Sequence, residues 1–197
     1  MTTVAAALSR REQLLEAAAR LFAERGFPAV GIDDIGAAVG ISGPGVYRHF
    51  ASKQALLEAL CDQAMAQMLT GAQDLSRRDD DPQDALEALV DLHVRFAVQE
   101  RALIGVWVRE ARSLSDEVRR SLRQRMRSYE QAWTKVVQAL RDDLDPDEVA
   151  TVVAVTLAML NGTAVTSVSG PRDVLTRTLR RMALAALLAR EYGLAPE

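Results

Sequence analysis

The segment "DDIGAAVGISGPGVYRHFASKQALL", residues 33–57, constrains the fold more than any other part of the chain. It sets two short apolar stretches on either side of Gly40, and a strongly helical run follows at once. Each stretch can form a helix of about eight residues, below the length at which an isolated helix persists in water. Such helices need neighbours, and Ile35, Val39, Ile41, Val46 and Phe50 are spaced to face them. The segment therefore predicts two helices meeting at a glycine turn inside a small bundle, with Tyr47, Arg48, His49 and Lys53 crowded at the second.

The flanking sequence supplies the neighbours. In "SRREQLLEAAARLFAERGF", Leu14, Leu15, Ala18, Leu21 and Phe22 share one helical face, Ser9 can cap the start, and Gly26 can end the helix in the αL conformation. A second helix is expected over residues 32–39 and a third after Ser42, whose hydroxyl can accept from the free N–H groups of the first turn. Ser52 caps a fourth, "KQALLEALCDQAMAQML", with no breaker until Gly71, and "GAQDLSRRDDDP" reads as a connection. Asp81 before Pro82 opens a fifth helix. A sixth is expected over residues 102–113, and a seventh, capped by Ser115, up to Leu140. Asp145, Pro146 and Glu148 form a capping-box pattern opening an eighth helix toward Val168. Gly170 and Pro171 break the chain before a last helix ending near Gly193. No stretch sustains a period-two alternation, so the expectation is an all-α chain of about nine helices.

Composition removes several classes of function. With 49% hydrophobic residues in 197, the chain can bury a proper core. Its longest apolar run, residues 149–160, falls well short of the roughly 20 residues needed to span a bilayer. "MTTVAAALSRREQ" lacks a basic n-region and a long apolar h-region, which places the protein in the cytoplasm. One cysteine, Cys61, excludes an intrachain disulfide, and with only His49 and His93 besides no metal or cofactor is expected. Nor does an enzyme emerge: Cys61 has no flanking histidine, and no Gly-rich phosphate loop follows a strand. The net charge of −3 argues against bulk affinity for nucleic acid but leaves room for a placed local surface.

"LLEAAARLFAERGF", "IDDIGAAVGIS" and "VYRHFASKQALL" together resemble the N-terminal domain of the TetR family of transcriptional regulators, without a gap from Ser9 to Leu57. The resemblance implies a helix-turn-helix domain over residues 1–56 and a ligand-binding and dimerisation domain over residues 57–197. It implies DNA contacts at Pro44, Tyr47 and Arg48 in the recognition helix, and phosphate contacts at Tyr47, His49 and Lys53. Gly43 and Gly45 stand where larger side chains often reach bases, so direct readout leans on Arg48, with Arg10 or Arg11 entering from helix 1. Gly31 replaces the usual capping Thr, and Gly36, in place of a common Ala, is expected to weaken helix 2 by about 0.5–1 kcal/mol. The alternative for Tyr47 and His49 is half-buried packing beside Phe50.

Specific reading of DNA by a single helix-turn-helix normally needs a dimer. Ala150, Ala154, Ala158 and Gly162 recur every four residues in the eighth helix, and Ala183, Ala186 and Ala189 form a similar strip in the last. The resemblance implies that these two helices form a four-helix bundle with a second copy; packing within one chain is the alternative. Phe96, Trp107, Met126, Tyr129 and Trp133 gather in helices 5 to 7, where the resemblance implies a ligand cavity, and His93, Arg109, Glu110 and Asn161 could orient a ligand. Plain core is the alternative for the aromatic residues. Residues 101–141 carry ten basic against four acidic side chains. That stripe is either a solvated face or the entrance for an anionic ligand such as an acyl-CoA, in keeping with a looser similarity to actinobacterial regulators of lipid metabolism. The resulting expectation is a homodimeric repressor released from a palindromic operator when a small lipophilic molecule binds. An enzyme, or an interaction module with a vestigial helix-turn-helix, are the competing readings.

Overall fold

The computed structural model describes residues 8–77, 81–166 and 170–190. Among them the chain is α-helical: α1 (Arg10–Arg25), α2 (Ile32–Ala38), α3 (Gly43–Val46), α4 (Lys53–Arg77), α5 (Pro82–Gln99), α6 (Arg101–Glu110), α7 (Asp116–Leu140), α8 (Pro146–Gly162) and α9 (Arg172–Leu188), with a 3-10 turn at Ala111–Ser113. None of the described helices is long and apolar enough to cross a membrane. The described residues form two compact units, one from Met1–Ala64 with Ala102–Arg120, the other from Met65–Arg101 with Ser121–Glu197.

In the first unit α1 packs on α2 and α2 on α3. Leu14, Ala18, Ile35, Val46, Leu56 and Leu57 have no exposed surface, so short α2 and α3 are held by burial against long neighbours. Ser9 and Glu12 close a reciprocal capping box on α1: Glu12 N–H donates to Ser9 Oγ at 3.3 Å, and Ser9 N–H donates to Glu12 Oε2 at 2.7 Å. In the second unit α9 lies against α5 and α8. Buried Arg141, after α7, donates to Leu187 O near the end of α9 at 3.1 Å and forks onto Asp143 at 2.7 and 2.8 Å.

Several expected boundaries move, each for a local reason. α3 has four residues, because Gly43 and Gly45 lower helix propensity on either side of Pro44, and Ser42 caps with its carbonyl and not its hydroxyl. Gly26 has φ 81° and ψ 150°, a positive-φ stop outside αL. α4 runs through Gly71 to Arg77, because Leu92 packs onto that glycine: a Cβ there would stand 2.9 Å from Leu92 Cδ2. α6 ends at Glu110 and α8 at Gly162. The expected end of the last helix near Gly193 lies outside the described residues.

Candidate functional site

The helix-turn-helix is built around two close backbone approaches. Gly40 turns the chain with φ 74°, and Ile41 N–H then donates to Gly36 O at 2.9 Å. A Cβ on Gly36 would stand 2.7 Å from Ile41 O, so glycine there is demanded by the turn. Ser42 O accepts from Gly45 N–H at 2.8 Å and from Val46 N–H at 3.3 Å, and the chain winds on irregularly through His49 N–H to Val46 O at 2.9 Å. This winding buries Val46 and Phe50 and turns Tyr47, Arg48 and His49 outward, Tyr47 with 56% of its surface exposed. Pro44 is exposed as well. No hydrogen bond or ion pair within the described residues engages the side chains of Tyr47, Arg48 or His49, so packing beside Phe50 does not account for them.

The other basic residues are engaged. Arg10 Nη1 donates to Val39 O and to Gln13 Oε1, both at 2.8 Å, closing the carbonyl end of α2. The Arg11 guanidinium lies 4.9 Å from the centre of the Phe50 ring. Lys53 Nζ donates to Phe27 O and Val30 O, both at 2.8 Å, reaches Pro28 O at 3.4 Å, and sits 4.4 Å above the Phe27 ring. It clamps the loop between α1 and α2. Gly43 is buried and Gly45 half-buried, and neither brings a side chain of its own to the surface.

In the second unit a largely buried polar cluster joins α5, α7 and α8. His93 Nδ1 and Tyr129 Oη are 2.7 Å apart, and His93 Nε2 lies 3.1 Å from Asn161 Oδ1. With Asn161 Oδ1 as acceptor, Nε2 carries the proton and Nδ1 accepts from the Tyr129 hydroxyl. Burial pushes the His93 imidazole down to about 4, only partly offset by Asn161, and pushes the Tyr129 hydroxyl upward. Trp133, fully buried, packs its ring 6.0 Å from that of His93 and 6.1 Å from that of Tyr129. The cluster can meet a neutral hydrogen-bonding group but offers no charge to an anion. Phe96 and Met126 are half-buried in the same unit. Trp107 and Arg109 are not part of it: they fall in the first unit, where Arg109 Nη2 donates to Ala23 O at 3.0 Å and Nε to Gly105 O at 3.1 Å. Burial pushes the Cys61 thiol up to about 12, which keeps it protonated and unreactive near neutral pH.

Residues 14–60 match the model of bacterial regulatory proteins of the tetR family, and residues 79–165 match the tetracyclin repressor-like C-terminal domain. The HTH-type transcriptional repressor KstR2 of Mycobacterium tuberculosis is 30% identical over 146 residues, covering 71% of this chain and 73% of that one. The chain belongs to the tetR family. Its helix-turn-helix is therefore the DNA-binding element of a transcriptional regulator, and the fold agrees. The solved structure of the ketosteroid transcriptional regulator KstR2 of Mycobacterium tuberculosis superposes with a TM-score of 0.77 at 25% identity, covering 95% of this chain and 97% of that one. AibR, solved with isovaleryl coenzyme A and operator DNA, shares the fold at 18% identity and a TM-score of 0.73, covering 88% and 97%.

In this tetR regulator α8 exposes Ala150, Ala154 and Ala158, with Gly162 half-buried, and α9 exposes Ala186. Val155, Val174 and Met182 on the same two helices are 64%, 46% and 45% exposed. Ala183 departs from expectation: it has no exposed surface, because the α9 face that bears it packs inside its own unit. What the sequence reading missed is the grip on the loop after α1. Glu110 accepts from Phe27 N–H at 3.1 Å while Lys53 takes the carbonyl of the same residue. The partners lie 83 and 26 residues apart, and no local pattern announces such bonds.

Proposed function

We propose that this regulator is a homodimeric repressor whose residues 1–56 hold operator DNA and whose residues 57–197 bind an effector and the second copy. The observation that carries the reading is the outward trio Tyr47, Arg48 and His49 at the end of a short buried helix, with no partners of their own. A phenol and an imidazole N–H donate to phosphate oxygens, and a guanidinium can fork onto guanine O6 and N7. Pro44 is exposed on α3, and Arg11 lies over the ring of Phe50, the residue after the trio. The exposed alanines and apolar side chains of α8 and α9 provide the face for the second copy. A dimer places two such surfaces on half-sites of one palindrome.

The effector is a small lipophilic molecule, and its polar group meets His93, Tyr129 and Asn161, with Phe96, Met126 and Trp133 around them. AibR's isovaleryl coenzyme A makes acyl-CoA thioesters the first class to screen, and KstR2's designation as a ketosteroid regulator adds ketosteroids. A neutral thioester or ketone carbonyl suits a cluster whose histidine is uncharged. The effector acts by favouring a conformer of the dimer with lower operator affinity.

Fluorescence anisotropy of a labelled operator duplex tests both halves. Arg48→Ala is expected to cost about 1–3 kcal/mol on operator and little on scrambled duplex. Acyl-CoAs are expected to release wild-type protein and to fail on His93→Phe. Equal loss on both duplexes would remove Arg48 from base reading, and release of His93→Phe at wild-type concentrations would remove the cluster from the effector site.

A further inference from the structure

The recognition helix brings almost no reading group to the DNA. Of its four residues, Gly43 and Gly45 have no side chain, Val46 is fully buried, and Pro44 carries no hydrogen-bonding group. Asp33, in the first turn of α2, reaches into the space this leaves. Its Oδ1 occupies the place a Cβ on Gly43 would take, with Cγ 3.1 Å from that point. The residue is exposed, and no hydrogen bond or ion pair within the described residues holds its carboxylate. Neighbouring Asp34, by contrast, accepts from Gly31 N–H at 2.8 Å and faces Arg25 at 3.8 Å. So the two adjacent acids have different roles: Asp34 supports the start of α2, and Asp33 projects over the first residue of α3, the end of a recognition helix that contacts base edges.

We infer that Asp33, whose carboxylate fills the place of a Gly43 side chain, is a specificity-determining residue that accepts a hydrogen bond from a cytosine amino group in the major groove. The inference rests on the DNA-binding reading above. A carboxylate among phosphates is repelled unless it meets a donor, and the major groove offers two, cytosine N4 and adenine N6. Adenine sets its N7 acceptor beside the amino group, where the second carboxylate oxygen would be repelled; cytosine presents the amino group alone. Asp33 also disfavours scrambled DNA, because wherever guanine or thymine stands at that place no amino group meets the carboxylate and only the repulsion remains. Base reading is then divided between an acid on α2 and Arg48 beyond α3.

The test is selection from a randomised duplex pool by the full chain, by Asp33→Ala, by Asp33→Asn and by Gly43→Ala, with the pools sequenced and melting temperatures measured. Wild type is expected to fix a cytosine at one position of each half-site. Asp33→Ala should lose that preference alone, reducing discrimination there by about ten- to a hundredfold, while binding scrambled duplex more tightly. Asp33→Asn should move the preference toward adenine, the base an amide reads on N6 and N7. Gly43→Ala, which displaces the carboxylate without removing it, should weaken the same position. If the Asp33 variants select the wild-type motif, the inference is overturned, and a lower melting temperature with that motif would assign Asp33 to supporting α3 only. If wild type itself selects no motif, the DNA-binding reading fails, and the inference with it.

Discussion

Three carbonyl oxygens stand within reach of the three protons of the Lys53 ammonium, so substitution of Lys53 is expected to act on the fold before it acts on DNA. Lys53→Met should lower stability in urea by about 1–3 kcal/mol, the worth of hydrogen bonds to a charged group. It should leave the slope of log affinity against log salt unchanged. A slope smaller by about one with unchanged stability would instead mean that the ammonium reaches a phosphate. His93 gives a second prediction. Its folded pKa lies below the unfolded one, so the unfolded chain takes up the proton first, and stability is lost as pH falls from 6.5 toward 4. The loss should approach about 3 kcal/mol, and His93→Gln should flatten the pH dependence of the urea midpoint; an unchanged dependence would place another group in that role. At this scale the caps were legible, since Ser9, Asp81 and Asp145 lie within three residues of the N–H groups they serve. The ends of long side chains were not: Arg10, Lys53 and Arg109 go to carbonyls 29, 26 and 86 residues away.

At the scale of elements, the short helices depend on contacts that reverse the usual reading of their glycines. An exposed helical glycine changed to alanine gains about 0.5–1 kcal/mol. Gly36→Ala should instead lose stability by about 1–3 kcal/mol, because the new Cβ would press on Ile41 O and the turn must open. A melt showing a gain would mean that the turn yields freely. The helix-turn-helix was legible because periodicity, the Gly40 turn and the outward Tyr47, Arg48 and His49 agree along one continuous stretch. The length of α4 was not, because Gly71 breaks a helix by its own propensity and is kept in this one by Leu92, 21 residues on. The polar cluster was half legible. His93, Tyr129, Trp133 and Asn161 come together, whereas Trp107 and Arg109, equally plausible by residue type, fold into the other unit.

At the scale of the whole molecule, the proposed function rests on pairing two copies through α8 and α9. Ala154 is exposed on α8, and Ala154→Arg puts a long charged side chain where close helix approach needs a small one. By light scattering this variant should elute with the mass of one chain, and operator affinity should fall about a hundredfold or more as the two half-sites are no longer bound together. A dimer of unchanged mass would move the interface off this strip. The central claim is that Tyr47, Arg48 and His49 form a sequence-reading surface, and binding to a duplex selected from a randomised pool tests it most directly. Anisotropy titrations at several salt concentrations, against scrambled competitor, should show binding that survives competition, weakens linearly in log salt, saturates at two chains or a multiple of two per duplex, and loses its preference in Arg48→Ala. Equal binding to selected and scrambled duplex, unaffected by Arg48→Ala, would contradict the account.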